Sequence, residues 1–252
     1  MSAHGNPNIV ADGLVLSLDA KDIKSYPGSG TTWYDRSGND NHATLVNAVD
    51  GTYEHTSDGY FTMTPMGFHG AEDSSSSASN LSGSYWNIPS DSSLNPADDS
   101  GWSVSGWLNI HGSQSANGVG WFMMDDADRK IHLEPISSTF RVNGYSGWSD
   151  LNYGVSSYHN KMTLYTFIYT NSGTYGTDNG SVEIYINGVS KAIDIDFIPT
   201  STTDYQINIG RRRGHYQHFL KGDIGNIMFY NRPITSAEVL QNYNATKSRF
   251  GL

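Results

Sequence analysis

The five glutamates are the side chains of this sequence that glycoside hydrolysis could use, and their spacing argues against such a role. Glycoside hydrolysis needs two carboxyl groups about 5–9 Å apart, which a strand supplies from alternate positions on one face. Glu183 lies in a predicted strand with no second glutamate. We therefore predict that the chain is not an enzyme. The glutamates are Glu54, Glu72, Glu134, Glu183 and Glu238.

The densest acidic group is formed by Asp125, Asp126 and Asp128. Carboxylates in a loop are ligands that Ca²⁺ prefers, but this group lacks the distal glutamate that completes many calcium loops. Aspartate is also a common turn residue. We favour a hairpin turn that joins 121–124 to 130–133.

Three adjacent arginines stand out in a chain with a net charge of −10. Arg211, Arg212 and Arg213 follow a predicted strand, and Tyr216 lies just after them. Guanidinium groups bind carboxylates and phosphates in a fork geometry. The sequence leaves two interpretations open: a site for an acidic sugar, a phosphate or an acidic protein neighbour, or a solvated loop that offsets nearby aspartates.

Trp148 lies in a polar segment rich in glycine and serine, close to Tyr145. An aromatic side chain in such a loop can stack on a ligand ring or cover the end of a β-sandwich. Both interpretations remain open, and we take Trp148 and Tyr145 as candidate ligand-binding residues.

Composition excludes several classes of partner and structure. The negative charge is opposite to what a phosphate-tracking protein needs, so we expect no nucleic-acid partner. No stretch reaches the roughly 20 apolar residues of a membrane helix, so we expect no membrane partner. The sequence has no cysteine, which rules out disulfides and thiolate metal sites.

Alternating apolar residues predict a chain built almost wholly of strands. The alternation is clear over 14–18, 102–110 and 182–186, and a period of two is typical of strands with one buried face. It predicts that Trp102 faces the core and that Trp107, at the opposite parity, lies against the other side of its sheet. Asn187-Gly188 favours a tight hairpin. Thr235 and Glu238 form a capping-box pattern that predicts one short helix near the C-terminus. The predicted fold is all-β: a two-sheet antiparallel jelly-roll sandwich with one short C-terminal helix.

No break in composition divides the chain, so we predict one domain over 12–252 after an N-terminal extension, 1–11. The serine-rich stretch 71–84 is interpreted as a long loop. The polar extension is expected to lie outside the core and to order against a protein partner.

Four segments, taken in order, resemble the laminin-G-like, concanavalin A-type jelly-roll domain. The opening also resembles the version of this domain in structural proteins of tailed bacteriophages, through 6–10 and 26–39. The four segments are Asp12–Ala20 with Trp33–His42, Ser93–Pro96 with Trp102–Trp107, Val182–Gly188, and Gly222–Thr235 with Glu238 and Val239.

The resemblance implies a structural calcium ion between the first and last strands. The ligands it suggests are Asp19, Asn39, Asn41 and Asp223, whose carboxylate and amide oxygens suit Ca²⁺. This sequence departs from the pattern at Gly225, where many relatives carry an aspartate.

The function implied by the resemblance is that of a non-catalytic virion protein, a decoration or fibre component assembled in the host cytoplasm. Its expected partners are capsid or tail proteins, with a host surface glycan as a further ligand. We expect a homo-oligomer, since symmetric oligomers usually fill repeated lattice sites. The alternatives are a free carbohydrate-binding, lectin-like module and, third, a glycan-cleaving enzyme, because one fold hosts many functions.

Overall fold

The computed structural model describes residues 8–46, 53–64, 83–95, 101–112, 114, 119–124, 131–144, 147–173, 180–197, 205–212 and 219–252. Within these residues the first eight strands are β1 Leu14–Asp19, β2 Thr32–Trp33, β3 Ala43–Val46, β4 Tyr53–His55, β5 Phe61–Met63, β6 Tyr85–Ile88, β7 Gly101–Ile110 and β8 Phe122–Met124. The next eight are β9 Ile131–Ile136, β10 Thr139–Gly144, β11 Gly147–Gly154, β12 Thr163–Thr170, β13 Gly180–Ile186, β14 Val189–Phe197, β15 Ile207–Ile209 and β16 Gly222–Tyr230. The helix α1 is Ser236–Thr246, and short 3₁₀ helices span Ser92–Leu94, Ser156–Tyr158 and Lys247–Phe250.

The strands form two antiparallel sheets, each eight-stranded within the described residues. The first sheet has the order β14-β13-β12-β7-β16-β5-β4, and β1 lies beside the other half of β16. The second sheet has the order β11-β10-β9-β8-β15-β6-β3-β2. Half of the neighbouring strand pairs, such as β7 with β16 and β8 with β15, are not consecutive in sequence, as in jelly rolls. The predicted fold class is confirmed.

The core lies between the two sheets and is rich in aromatic rings. Trp33, Trp86, Trp102 and Trp121 are fully buried there. Trp107 lies five positions after Trp102 on β7 and therefore faces the other way, where its ring stacks on that of Phe250 at 4.6 Å. The alternation along this strand predicted these opposite orientations, and the structure confirms them.

Local sequence signals account for the ends of several elements. Asn187 and Gly188 adopt φ angles of 51° and 81° and connect β13 to β14, as expected for a hairpin turn with two positive φ angles. Thr235 and Glu238 form the capping box that starts α1. Among the described residues, no helix has both the length and the apolar character that a membrane crossing requires.

A second apolar cluster covers the outer face of the first sheet. Val239 of α1 packs there with residues of β12, β13 and β16. Val10 joins this cluster with an exposure of 6%, its N–H donates to Asn242 at 2.9 Å, and its carbonyl accepts from the Tyr230 hydroxyl. The expectation that the N-terminal segment lies wholly outside the core is therefore wrong at Val10, because α1 offers it an apolar surface.

Candidate functional site

The outer face of the second sheet carries a row of polar side chains. Core residues Ile131 and Leu133 alternate along β9 with His132 and Glu134, so the latter two point away from the core. His132 lies opposite Met123 of β8 and Asn143 of β10, and Glu134 lies opposite Arg141. This row, with its neighbours on β6 and β15, is called the polar face below.

The part of the polar face that lies on β9 is closed to solvent. His132 and Glu134 are both 0% exposed although they face away from the core. Arg212 places its Nε 3.3 Å from Glu134 Oε1 and is itself buried. Burial of a carboxylate is expensive unless a cation or hydrogen-bond donors accompany it, so the arginine and the glutamate depend on each other here.

Two further contacts extend the polar face across the sheet. Asn87 of β6 donates from Nδ2 to Asn208 Oδ1 of β15 at 2.9 Å. The guanidinium of Arg211 lies 4.7 Å from the ring centre of Tyr85 and 5.5 Å from that of Phe219. Amide, guanidinium and aromatic groups thus stand side by side, and these are the groups that bind hydroxyls and sugar rings in proteins.

The structure brings some of the predicted ligand-binding residues to this face. Arg211 and Arg212 both meet it, with exposures of only 8% and 7%. Trp148 stands on β11 at the register position opposite Asn143. The remaining candidates, Tyr145, Arg213 and Tyr216, and the acidic group Asp125, Asp126 and Asp128, lie outside the described residues.

His132, Glu134 and Arg141 were missed by the sequence reasoning. The alternation of Ile131 and Leu133 with His132 and Glu134 was the signal that could have identified an outward-facing polar pair. Their burial had no such signal, because it depends on what lies over the sheet.

The four predicted calcium ligands enter three hydrogen-bond networks, of which Asn39 and Asn41 share one. Asp19 binds the guanidinium of Arg249 through both carboxylate oxygens. Asp223 accepts from Thr62, Asn109 and His111. Asn39 and Asn41 donate their amide N–H groups to the carbonyl of Val15. The described residues contain no group of three acidic or histidine side chains placed for a metal, and a shared calcium ion stays a prediction.

Asp35 is the organising residue of the loop that holds Asn39 and Asn41. Its carboxylate accepts from Ser17 N at 2.8 Å, Ser37 N at 2.9 Å, Ser37 Oγ at 2.7 Å and Asn41 N at 3.1 Å. The side chain is 5% exposed. These bonds fasten the loop to β1, which gives Asp35, Ser37 and Asn41 a structural role.

Glu183, the strand glutamate considered for catalysis, belongs to the other sheet. Its carboxylate accepts hydrogen bonds from the hydroxyls of Tyr185, at 3.1 Å, and Ser190. Glu183 therefore lies on a different sheet from the polar face.

Comparison with solved structures identifies similar folds at low identity. A botulinum neurotoxin DC binding domain in complex with SialylT has a TM-score of 0.60 and 15% identity, over 93% of this chain and 52% of that one. Domain 4 of AbnA, an arabinanase from Geobacillus stearothermophilus, in complex with arabinotriose, has a TM-score of 0.57 and 18% identity, over 91% and 98%. Trypanosoma rangeli sialidase in complex with sialic acid has a TM-score of 0.60 and 14% identity, over 94% and 33%. The chain thus spans about half of the toxin domain and a third of the sialidase.

A search among curated proteins finds no match. A family model described as the concanavalin A-like lectin/glucanases superfamily matches residues 80–240, which is more than half of the chain. That stretch includes the strands of the polar face on β6, β8, β9, β10 and β15. The chain belongs to the concanavalin A-like lectin/glucanase superfamily.

Proposed function

We propose that the protein is a non-catalytic, carbohydrate-binding module whose glycan site is the polar face of the second sheet. The observation that carries this proposal is the set of half-buried side chains Tyr85, Asn87 and Arg141, which lie on the same outward side of the sheet as the buried pair His132 and Glu134. A sandwich gains nothing in stability from burying such groups there. Enclosed polar groups converging on one face are typical of ligand sites.

The side chains on this face suit the chemistry of sugar hydroxyls. Asn87 and Asn208 offer both donors and acceptors, and Arg141 offers donors in a fixed fork. Tyr85 supplies an aromatic surface on β6, and Trp148 lies on β11 at the register position opposite Asn143. Aromatic rings stack on the apolar face of a sugar.

The solved structures of similar fold support the proposal at the level of fold. The arabinanase domain is in complex with arabinotriose, and the sialidase is in complex with sialic acid. Their identities to this chain are 18% and 14%, so the particular sugar is not transferred. The class of ligand, a glycan, is what we propose here.

The test is a glycan array probed with the purified protein and with Arg141→Met. Arg141 is half-buried and lies between β9 and β11, so methionine keeps the stem and removes the donors. A hydrogen bond to a charged group contributes about 1.5–3 kcal/mol, which predicts binding at least about tenfold weaker. Arg36→Met is the matched control, since Arg36 is 45% exposed and lies in the opening loop, outside the polar face. Absence of any glycan bound by the unmodified protein, or equal affinities for the two variants, contradicts the proposal.

We further propose, as a second function, that the protein is a virion component that docks on capsid or tail proteins as a homo-oligomer. The support is the resemblance of 6–10 and 26–39 to bacteriophage structural proteins. None of the three solved structures described above is a virion protein. Mass spectrometry of purified particles tests the location, and deletion of residues 2–7 tests the docking segment while leaving Val10 in its place. Full retention of the deletion variant on particles would remove the N-terminal segment from the docking surface.

A further inference from the structure

The C-terminal 3₁₀ helix, Lys247–Phe250, closes over the point where the first and last strands meet. Arg249 donates from both terminal nitrogens to the carboxylate of Asp19, with 3.0 Å between Nη2 and Oδ1. Asp19 is the last residue of β1 and pairs with Asn226 of β16. The Arg249 carbonyl also accepts from Lys21 Nζ at 2.8 Å. These contacts join residues 228 and 230 positions apart in the sequence.

An aromatic contact holds the same turn against the sheet. The Phe250 ring stacks on Trp107 at 4.6 Å, and the Tyr243 ring stacks on Trp107 at 6.0 Å. The indole N–H of Trp107 donates to Thr246 Oγ1 at 2.8 Å. Phe250 thereby fixes the backbone of Arg249, since the two are neighbours in a short helix. The planar guanidinium is preorganised, so less side-chain entropy is lost for each hydrogen bond that it forms.

The charge at this point is balanced by the chain itself. Asp19 has a side-chain exposure of 15%, and Arg249 has one of 32%. A carboxylate removed from water requires a compensating charge. A calcium ion coordinated by Asp19 would have to displace the guanidinium or share both oxygens with it, and its ligands must stand 2.3–2.6 Å from one point.

We propose that the Lys247–Phe250 turn is a clasp that serves in place of a metal ion between the first and last strands. Arg249 supplies the positive charge at Asp19. Phe250 anchors the turn on Trp107 and lies over Gly225, the position at which many relatives carry an aspartate. The joint between β1, β16 and the C-terminus is therefore made of protein groups and needs no calcium.

The test is a double-mutant cycle on the full chain with Asp19→Asn and Arg249→Gln, followed by thermal unfolding. Each single change is expected to lower the melting temperature by at least about 2–4 °C, the shift that corresponds to about 1 kcal/mol in a domain of this size. The double variant is expected to lose clearly less than the sum, because each single change leaves one charge without its partner. Arg36→Gln is the control: Arg36 Nε lies 3.9 Å from Asp22 in an exposed pair, which should contribute little.

Calcium supplies the second arm of the experiment. The melting temperature of the unmodified protein is expected to be the same in calcium and in EDTA. A fall in EDTA would overturn the clasp in favour of a bound ion, since a ligand of the native state stabilises it. Additive effects of Asp19→Asn and Arg249→Gln would also overturn it. If Arg249→Gln does not fold, Arg249→Lys is the fallback variant, because lysine keeps the positive charge but cannot make the bidentate contact with the carboxylate. An unchanged melting temperature for Arg249→Lys would count against the bidentate contact.

Discussion

Phe250 lies over Gly225 so closely that a β-carbon built on this glycine would stand 2.6 Å from two of the ring carbons. The same β-carbon would also stand 3.2 Å from the β-carbon of Trp107. The glycine therefore makes room for the ring rather than for a special backbone conformation. Backbone bonds fix its position, since its carbonyl accepts from Ala20 N at 2.9 Å.

Substitution Gly225→Ala should weaken the closure of the C-terminal turn. The added methyl group must displace the Phe250 ring, and overpacking of this kind typically costs about 1–3 kcal/mol. We expect the free energy of unfolding to fall by about that amount in urea titrations. Gly28→Ala is a control for the loss of glycine as such, since nothing lies within 4 Å of its β-position, although its φ of +93° adds strain of its own. If Gly225→Ala is as stable as the unmodified chain, the packing of the Phe250 ring does not require a glycine at position 225.

The ion pair at the start of α1 makes part of the stability dependent on pH. Hydrogen bonds from Arg232, together with those from Thr235, lower the pKa of Glu238 from 4.5 to about 2 against an opposing effect of burial. Because the folded-state pKa is the lower one, this contribution is present above pH 4.5 and is lost as the pH falls through about 2.

Substitution Glu238→Gln should therefore destabilise the protein at neutral pH and matter less in acid. Loss of a cap and its charged partner costs about 0.5–2 kcal/mol. The difference between the two proteins, followed by chemical denaturation from pH 7 downwards, should shrink below pH 4.5. Ser236→Ala, at an exposed position in the first turn, is the control for helix propensity. A difference that stays constant into acid would contradict the role of the ionised carboxylate.

Patterns local in sequence predicted the fold correctly, and contacts remote in sequence could not be predicted. Alternation in 102–110 gave both the strand and the opposite orientations of its tryptophans, since a strand period of two depends on neighbours only. The contact between Arg249 and Asp19 joins residues near the two ends of the chain. No pattern of neighbouring residues around either one indicates that the other is its partner. The alternation along β9 could have shown the direction of His132 and Glu134, which the sequence reasoning missed. Their burial could not be predicted, because it depends on the packing of the whole domain.

The opening loop gives a direct test of one side chain. Asp35→Ala should leave the backbone N–H groups of Ser17, Ser37 and Asn41 without their acceptor. Hydrogen bonds to charged groups contribute about 1.5–3 kcal/mol each, so we expect a loss of at least about 3 kcal/mol in the free energy of unfolding. Asp58→Ala, at an exposed position, should change little. Equal stability of the two variants would mean that the loop is held by other contacts.

The polar face allows a sharp test of the prediction that the protein is not an enzyme. Glu134 is the carboxylate buried on that face, and it lies against the guanidinium of Arg212. Asp150 is in register with Arg141, which lies between it and Glu134, so the two acidic positions are two strands, roughly 10 Å, apart along the sheet. Retaining glycosidases hold their two carboxyl groups about 5–5.5 Å apart, and the Glu134 carboxylate is instead paired with a guanidinium. We therefore expect no release of reducing sugar from laminarin, agarose or alginate. Turnover that disappears in Glu134→Gln but persists in the control Glu183→Gln, on the other sheet, would establish a catalytic role for the polar face and refute this prediction.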